Sequence, residues 1–169
     1  MKIALVGYGK MGHMIEQAAK RAGHEVVTTI DVMAEDAKVK IAAGDTDSIV
    51  RAVKSSGAEG IIEFTHPTAV IANVRALLPL GLPLVVGTTG WNDKHAEIDA
   101  YAKEVGGTVM TAGNFSIGVN MFYKIVEEAA KIMSEYKDYD VATWEMHHNQ
   151  KADSPSGTAL EIARRVQMG

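Results

Sequence analysis

The run Lys2-Ile-Ala-Leu-Val-Gly-Tyr-Gly-Lys-Met-Gly12 decides how the chain folds. An unbroken apolar stretch that stops at a glycine is the pattern of a strand buried on both faces of a parallel sheet. Gly7, Gly9 and Gly12 then form a G-x-G-x-x-G, with Tyr8, Lys10 and Met11 between them. Beyond the loop, Met14, Ile15, Ala18, Ala19 and Ala22 recur at helical spacing, and the pattern ends at Gly23 as a C-terminal glycine cap would. Glu25 to Ile30 reads as a second strand, closed by Asp31. Each part of this order has a physical use. Gly7 permits a tight turn, Gly9 lets the backbone approach a pyrophosphate, and Gly12 lets the helix lie close to the strand. Asp31 stands where a carboxylate accepts bonds from adenosine ribose hydroxyls, so the unit is expected to bind a dinucleotide.

The alternation continues. A polar helical segment covers about Asp47 to Ser56, Gly60 to Thr65 is a short strand, and Pro67 to Leu78 a helix with proline at its start, where it is tolerated. Leu82 to Val86 is a further buried strand. Asn92 or Asp93 can cap the helix that runs to about Val105, and Thr108 to Ala112 is the next strand. Strands and helices in turn imply an α/β fold, a Rossmann-like doubly wound parallel sheet. Ligands on such sheets sit at the carboxyl ends of the strands. Three of those ends, Phe64-Thr65-His66, Gly87-Thr88-Thr89 and Ala112-Gly113-Asn114-Phe115, are therefore candidate walls of a cofactor cleft, although His66 by itself reads better as part of a turn.

From Ile117 a helical pattern runs to about Tyr136, with Val119, Phe122, Val126, Ala129 or Ala130 and Met133 forming its core face. The boundary between a dinucleotide-binding domain, residues 1–116, and a second domain, residues 117–169, is expected here. The second domain carries Glu145-Met-His-His-Asn-Gln-Lys-Ala-Asp-Ser-Pro-Ser-Gly-Thr158. Tyr139 to Trp144 is β-branched and aromatic and reads as a strand delivering His147 to its end. Leu160 or Ala159, Ile162, Ala163 and Val166 mark a following helix that Ser154 or Ser156 can cap, aiming the N–H groups of Gly157 and Thr158 at whatever lies in front. A histidine, a lysine and a helix N-terminus converging on one point suit a small anion with proton chemistry beside it. No metal site is expected. Adjacent strand residues such as His147 and His148 face opposite ways, and the chain has no cysteine.

Taken together these motifs resemble the dihydrodipicolinate reductase (4-hydroxy-tetrahydrodipicolinate reductase) family through nearly the whole chain. The most specific part is Glu145-x-His-His-x-x-Lys-x-Asp-x-Pro-Ser-Gly-Thr158, and Gly87-Thr-Thr-Gly90 and Asn114-Phe-Ser-x-Gly-Val-Asn120 agree in order and spacing. The resemblance implies reduction of a cyclic unsaturated dicarboxylate by NADH or NADPH, in lysine and diaminopimelate biosynthesis, by a homotetramer. It makes His147 the proton donor and acceptor and Lys151 a second acid, and it gives His148, Ser156, Gly157 and Thr158 to the substrate. The dinucleotide contacts it implies are Gly7 to Gly12, Asp31, Phe64, Thr65, Gly87 to Thr89 and Ala112 to Phe115. Glu145, two residues before His147, could favour the charged imidazole. Asp31 would repel a 2′-phosphate, which points to NADH, with Lys10 and Lys38 as the groups that could soften the choice. Family members continue past Gly169, so the second domain reads as an incomplete α+β substrate and oligomerisation domain. A stable tetramer and ordinary turnover are not expected of this shorter chain, and the alternative reading is a dinucleotide-binding module without turnover.

Composition sets the remaining bounds. The chain has 169 residues, 47% apolar and 22% charged, as in a globular protein with a sizeable core. A net charge of −4 argues against a broad nucleic-acid surface, and the absence of cysteine excludes a disulfide scaffold. No stretch has the length and apolarity of a signal or membrane segment, so the expected location is the cytoplasm.

Overall fold

A computed structural model of the protein describes residues 1–147, 149 and 154–169. It divides into two compact units, Met1–Ala112 and Gly113–Gly169. In the first, β1 (Lys2–Val6), β2 (Glu25–Asp31), β3 (Val39–Lys40), β4 (Gly60–Glu63), β5 (Leu84–Val86) and β6 (Val109–Thr111) form one sheet in the order β3-β2-β1-β4-β5-β6. Every pairing is parallel. Helices α1 (Lys10–Arg21), α2 (Thr46–Ser56), α3 (Val70–Leu77) and α4 (His95–Glu104) make the crossovers. The order reverses between β1 and β4, the point at which such sheets open a crevice.

The central strand is buried on both faces because alternate side chains serve different cores. Ala4 and Val6 join Ile30, Ile61, Leu77, Leu84 and Ile98 in the larger cluster, whereas Ile3 and Leu5 pack with Tyr8, Ala19 and Val26. Asp45 caps α2 by accepting the Ser48 N–H at 3.0 Å, and Gly57, at φ 68°, ends it in the left-handed conformation. Three expectations are revised. Strand β3 was not foreseen, since two residues carry no readable period. Helix α3 begins at Val70 rather than Pro67, because residues 66–69 make a turn in which Ala69 and Val70 donate to the His66 carbonyl. Neither Asn92 nor Asp93 caps α4; Asn92–Lys94 form a 3₁₀ turn that leads into it.

Gly7 is where the fold is least tolerant. It sits at φ 94°, and a Cβ added there would lie 1.9 Å from the Phe64 carbonyl oxygen. An alanine faces both an unfavourable φ and a backbone collision. We expect Gly7→Ala to lower the unfolding free energy by more than about 2 kcal/mol; an unchanged urea midpoint would contradict this.

The second unit pairs α5 (Ile117–Met133) with α6 (Gly157–Met168). Their contact is ionic as well as apolar. The Arg165 guanidinium reaches Glu127 at 2.7 Å and Glu161 at 2.7 Å, and Lys131 reaches Glu127 at 3.2 Å. Arg165 and then Lys131 hold the buried Glu127 carboxyl down at about 2. Arg164 does the same for Glu161, against desolvation and with help from Arg165. The expected strand over Tyr139–Trp144 is not formed: residues 139–144 carry no regular secondary structure. A strand needs a hydrogen-bonding neighbour, and none is present among the described residues. Nor is the helix face named from the sequence fully covered. Phe122 is 48% exposed, and an apolar groove of about 470 Å³ runs between Phe122, Val126, Met133, Ile162 and Val166. The residues of α5 that are buried are Tyr123, Glu127 and Ala130.

Because both glutamates titrate below the ordinary carboxylate value of 4.5, their contribution is full above that pH and is lost as pH falls toward about 2. Amide exchange in α6 should therefore quicken across this window before the sheet unfolds, and Arg165→Met should remove that early phase. A single acid transition shared by both units and both proteins would contradict the assignment.

Candidate functional site

In the first unit the loop after β1 turns into α1 with Gly7 donating its N–H to the Ile30 carbonyl at 2.8 Å. Gly9 is the N-cap of α1 and supplies no side-chain acceptor, so the N–H groups of the first turn keep their outward direction. A Cβ added at Gly9 would meet nothing within 4 Å, whereas one at Gly12 would lie 2.5 Å from the Gly7 carbonyl oxygen. The two glycines thus differ in kind. Gly12 is needed for packing within the protein, and Gly9 fronts open space suited to a pyrophosphate. Lys10 and Met11 flank this opening and are exposed.

Asp31 closes the other side. Its carboxylate accepts the Tyr8 N–H at 2.6 Å, the Met33 N–H at 2.7 Å and the Ala34 N–H at 2.9 Å. Partial burial disfavours the charge, but the Ala34, Tyr8 and Met33 amides outweigh it and hold the carboxyl below its ordinary range. Asp31 is therefore an oriented anion tied to the glycine loop. Tyr8 is committed to the protein: its ring stacks on His13 at 4.1 Å and its hydroxyl donates to Glu16. That bond, with burial, pushes the phenol up to about 12. Lys38 is also engaged, its ammonium donating to the Val26 and Val27 carbonyls at 3.1 Å each. His13 pairs with Asp36 at 2.8 Å.

At the ends of β4 and β5, Thr65 donates its N–H to the Thr88 hydroxyl at 2.7 Å, and the Trp91 indole donates to the Thr88 carbonyl at 2.6 Å. The Phe64 ring lies over Gly87, where a Cβ would come within 1.7 Å of it. Thr65 and Thr89 are left exposed at the rim, and His66 accepts the Thr68 N–H within its turn. Ala112 follows β6 and is half-buried. Two buried polar residues beneath these loops, Glu63 and Asn73, were not among the residues singled out from the sequence. The signal was present in Glu63, a carboxylate at the end of a strand that should otherwise be apolar.

In the second unit the residues 113–120 make a self-bonded entry to α5. Asn114 accepts the Ser116 N–H at 2.8 Å, and Asn120 donates to the Asn114 and Ser116 carbonyls at 2.9 Å each. Gly113 and Phe115 are exposed beside it. Glu145 bridges eleven residues to the start of α6, accepting the Ser156 N–H at 2.8 Å and its hydroxyl at 2.6 Å. The Ser156 oxygen in turn accepts the Ala159 N–H at 3.1 Å. Ser156, not Ser154, is thus the cap, and its buried hydroxyl is bonded to Glu145 and to the first turn of α6. His147 Nδ1 lies 3.7 Å from Glu145. His147, Thr143, Ser156 and Thr158 line a pocket of about 390 Å³, and Gly157, the first residue of α6, is exposed. His148 and Lys151 lie outside the described residues.

These features define the class: a Rossmann-like α/β fold whose glycine turn opens at the switch point, joined to a helical unit that carries a histidine beside a helix N-terminus. The chain belongs to the dihydrodipicolinate reductase family. The model of the family's N-terminal part matches residues 1–115 and that of its C-terminal part residues 118–169. Proteins named 4-hydroxy-tetrahydrodipicolinate reductase from Christiangramia forsetii and Cupriavidus necator are 35% and 36% identical over 98% of this chain. The chain spans 64% and 65% of their respective lengths. A dipicolinate-bound dihydrodipicolinate reductase from Paenisporosarcina sp. TG-14 shares the fold, with a TM-score of 0.70 at 24% identity, covering 98% of this chain and 65% of the other.

Gly9 separates binding from folding. Its φ of −75° suits any residue and a methyl meets nothing, so Gly9→Ala should cost no more than about 1 kcal/mol, the difference between glycine and alanine at a helix N-cap. The added methyl would enter the open space that suits a pyrophosphate, and NADH affinity should fall at least about tenfold. Parallel melting and fluorescence titration check this, and unweakened NADH binding would contradict it.

Proposed function

We propose that the first unit binds NADH and that the protein reduces 4-hydroxy-tetrahydrodipicolinate (dihydrodipicolinate) to tetrahydrodipicolinate, serving lysine and diaminopimelate biosynthesis. The observation that carries this reading is that the family match spans both units while Gly9, the open glycine, fronts unfilled space at the switch point. Gly7 to Gly12 and Asp31 would hold the pyrophosphate and adenosine ribose. Phe64, Thr65, Gly87 to Thr89, Ala112, Gly113, Asn114 and Phe115 keep the dinucleotide contacts that the resemblance gives them. A bound dihydronicotinamide would supply a hydride to a ring carbon of the substrate, whose 4-hydroxyl leaves as water, so that hydride, proton and water together balance the reduction.

The chain's own residues supply the rest. Protonation of the enamine-like carbon falls to His147, whose Nδ1 faces Glu145, with Lys151 as a second acid. The N–H groups of Gly157 and Thr158, in the first turn of α6, lack intrahelical acceptors and suit a substrate carboxylate, as does the Lys151 ammonium. Ser156 acts one step back by holding that turn on Glu145. His148 keeps the substrate role that the resemblance gives it.

NADH is favoured over NADPH because Asp31 presents an oriented negative charge and the Lys38 ammonium is spent on strand carbonyls. A second reading for the 169-residue chain itself, a dinucleotide-binding module with little turnover, draws on the uncovered side of the second unit. There Trp144 is 84% exposed and Met146 88% exposed. The homotetramer and the cytoplasmic setting remain what the resemblance implies for the whole enzyme.

Titration with NADH and NADPH, beside an NADH-oxidation assay with freshly made substrate, tests the reading in the full-length protein. We expect tighter NADH binding, and His147→Ala and Lys151→Ala each to slow turnover by about 10²–10⁴-fold with NADH affinity kept. Near-normal turnover in either variant would remove that residue from the chemistry.

A further inference from the structure

Glu63 ends β4 with its side chain 0% exposed, an unusual place for a carboxylate. Burying a charge is costly unless hydrogen bonds replace the lost water. Glu63 has three such donors: the Thr65 hydroxyl, the Thr88 hydroxyl at 2.7 Å and the Asn73 amide at 3.3 Å. The directions of these bonds follow from their partners. The Thr88 hydroxyl accepts the Thr65 N–H at 2.7 Å, which leaves its own proton for Glu63 Oε2. The Thr65 hydroxyl accepts from Asn73 at 3.3 Å, which leaves its proton for Glu63 Oε1. Every link therefore points toward the carboxylate, and one acceptor organises the ends of two strands and one face of α3.

Those two strand ends are the loops beside the switch point. With Asp31 on the β2 side serving the adenosine half, the β4 and β5 ends face the other half of a dinucleotide that crosses the crevice. We propose that Glu63 is a positioning residue, whose buried carboxylate fixes the Phe64–Thr65 and Gly87–Thr89 loops against each other and so shapes the cleft for the nicotinamide half of the cofactor. This rests on the dinucleotide reading above. Burial pushes the Glu63 carboxyl up, and the Thr65, Thr88 and Asn73 bonds oppose that rise. An amide cannot take the carboxylate's place, because one of its two ends would present a donor to a hydroxyl whose proton already points inward.

The test compares two ligands, NADH and AMP, in the full chain carrying Glu63→Gln. AMP occupies only the adenosine side, so its affinity should stay within about twofold of wild type. NADH affinity should fall at least about tenfold, the scale of one mispaired buried group. The Thr65 amide resonance should shift and exchange faster, a signature that general destabilisation would spread over the whole sheet. Equal NADH affinity in the variant and wild type would overturn the proposal, as would equal losses for both ligands. Should Glu63→Gln not fold, Asn73→Leu removes the amide that donates to Glu63 and to the Thr65 hydroxyl, lies outside the dinucleotide contacts named above and carries the same comparison, with unchanged NADH affinity again decisive against it. A wild-type chain that binds neither ligand would overturn the dinucleotide reading and this proposal together.

Discussion

The fold turns on the way the chain leaves β1. It must pass from a strand buried on both faces into a helix that lies back over the same sheet. It does so through Gly7, at a positive φ and pressed against the Phe64 backbone. The Gly7 N–H goes to β2 and the next N–H, of Tyr8, goes to Asp31. Three strands thus meet around one residue. That meeting brings together the glycine turn, the acid that ends β2 and the loop after β4, and it leaves no room for side-chain variation at Gly7.

Much of this was legible in the residues themselves. Strands of a parallel sheet are apolar on both sides, so β1, β4 and β5 stood out as short runs, and the glycine spacing with Asp31 marked the first strand–helix–strand unit as a dinucleotide-binding turn. What escaped reading had no local signal. Strand β3 is two residues that become a strand only by lying beside Ile30 and Asp31. Pro67 looked like a helix start, yet the turn at His66 claims the first two N–H groups. Asn73 and Trp91 look like ordinary helix and loop residues until the fold brings them to Glu63 and Thr88.

The second unit shows the opposite relation between motif and role. Its signature, from Glu145 to Thr158, was the most specific stretch of the chain, and the family models agree with it. Yet the residues within it divide their labour in a way that spacing does not reveal. Ser156, which the resemblance gives to the substrate, is also the helix cap and is held by Glu145. The strand expected to deliver His147 is absent among the described residues, since β-propensity without a pairing edge does not make a strand. Ion pairing between Glu127, Glu161 and Arg165 holds the two helices instead.

The Phe64 ring resting on Gly87 carries a consequence for how such chains diverge. The two positions are 23 residues apart in sequence, and neither is free to change alone, because any side chain at 87 needs the volume the ring occupies. A smaller residue at 64 would release position 87 but would leave a void between the loops. Substitutions here therefore pass through a less fit intermediate, and the pair is expected to be inherited as one character rather than two.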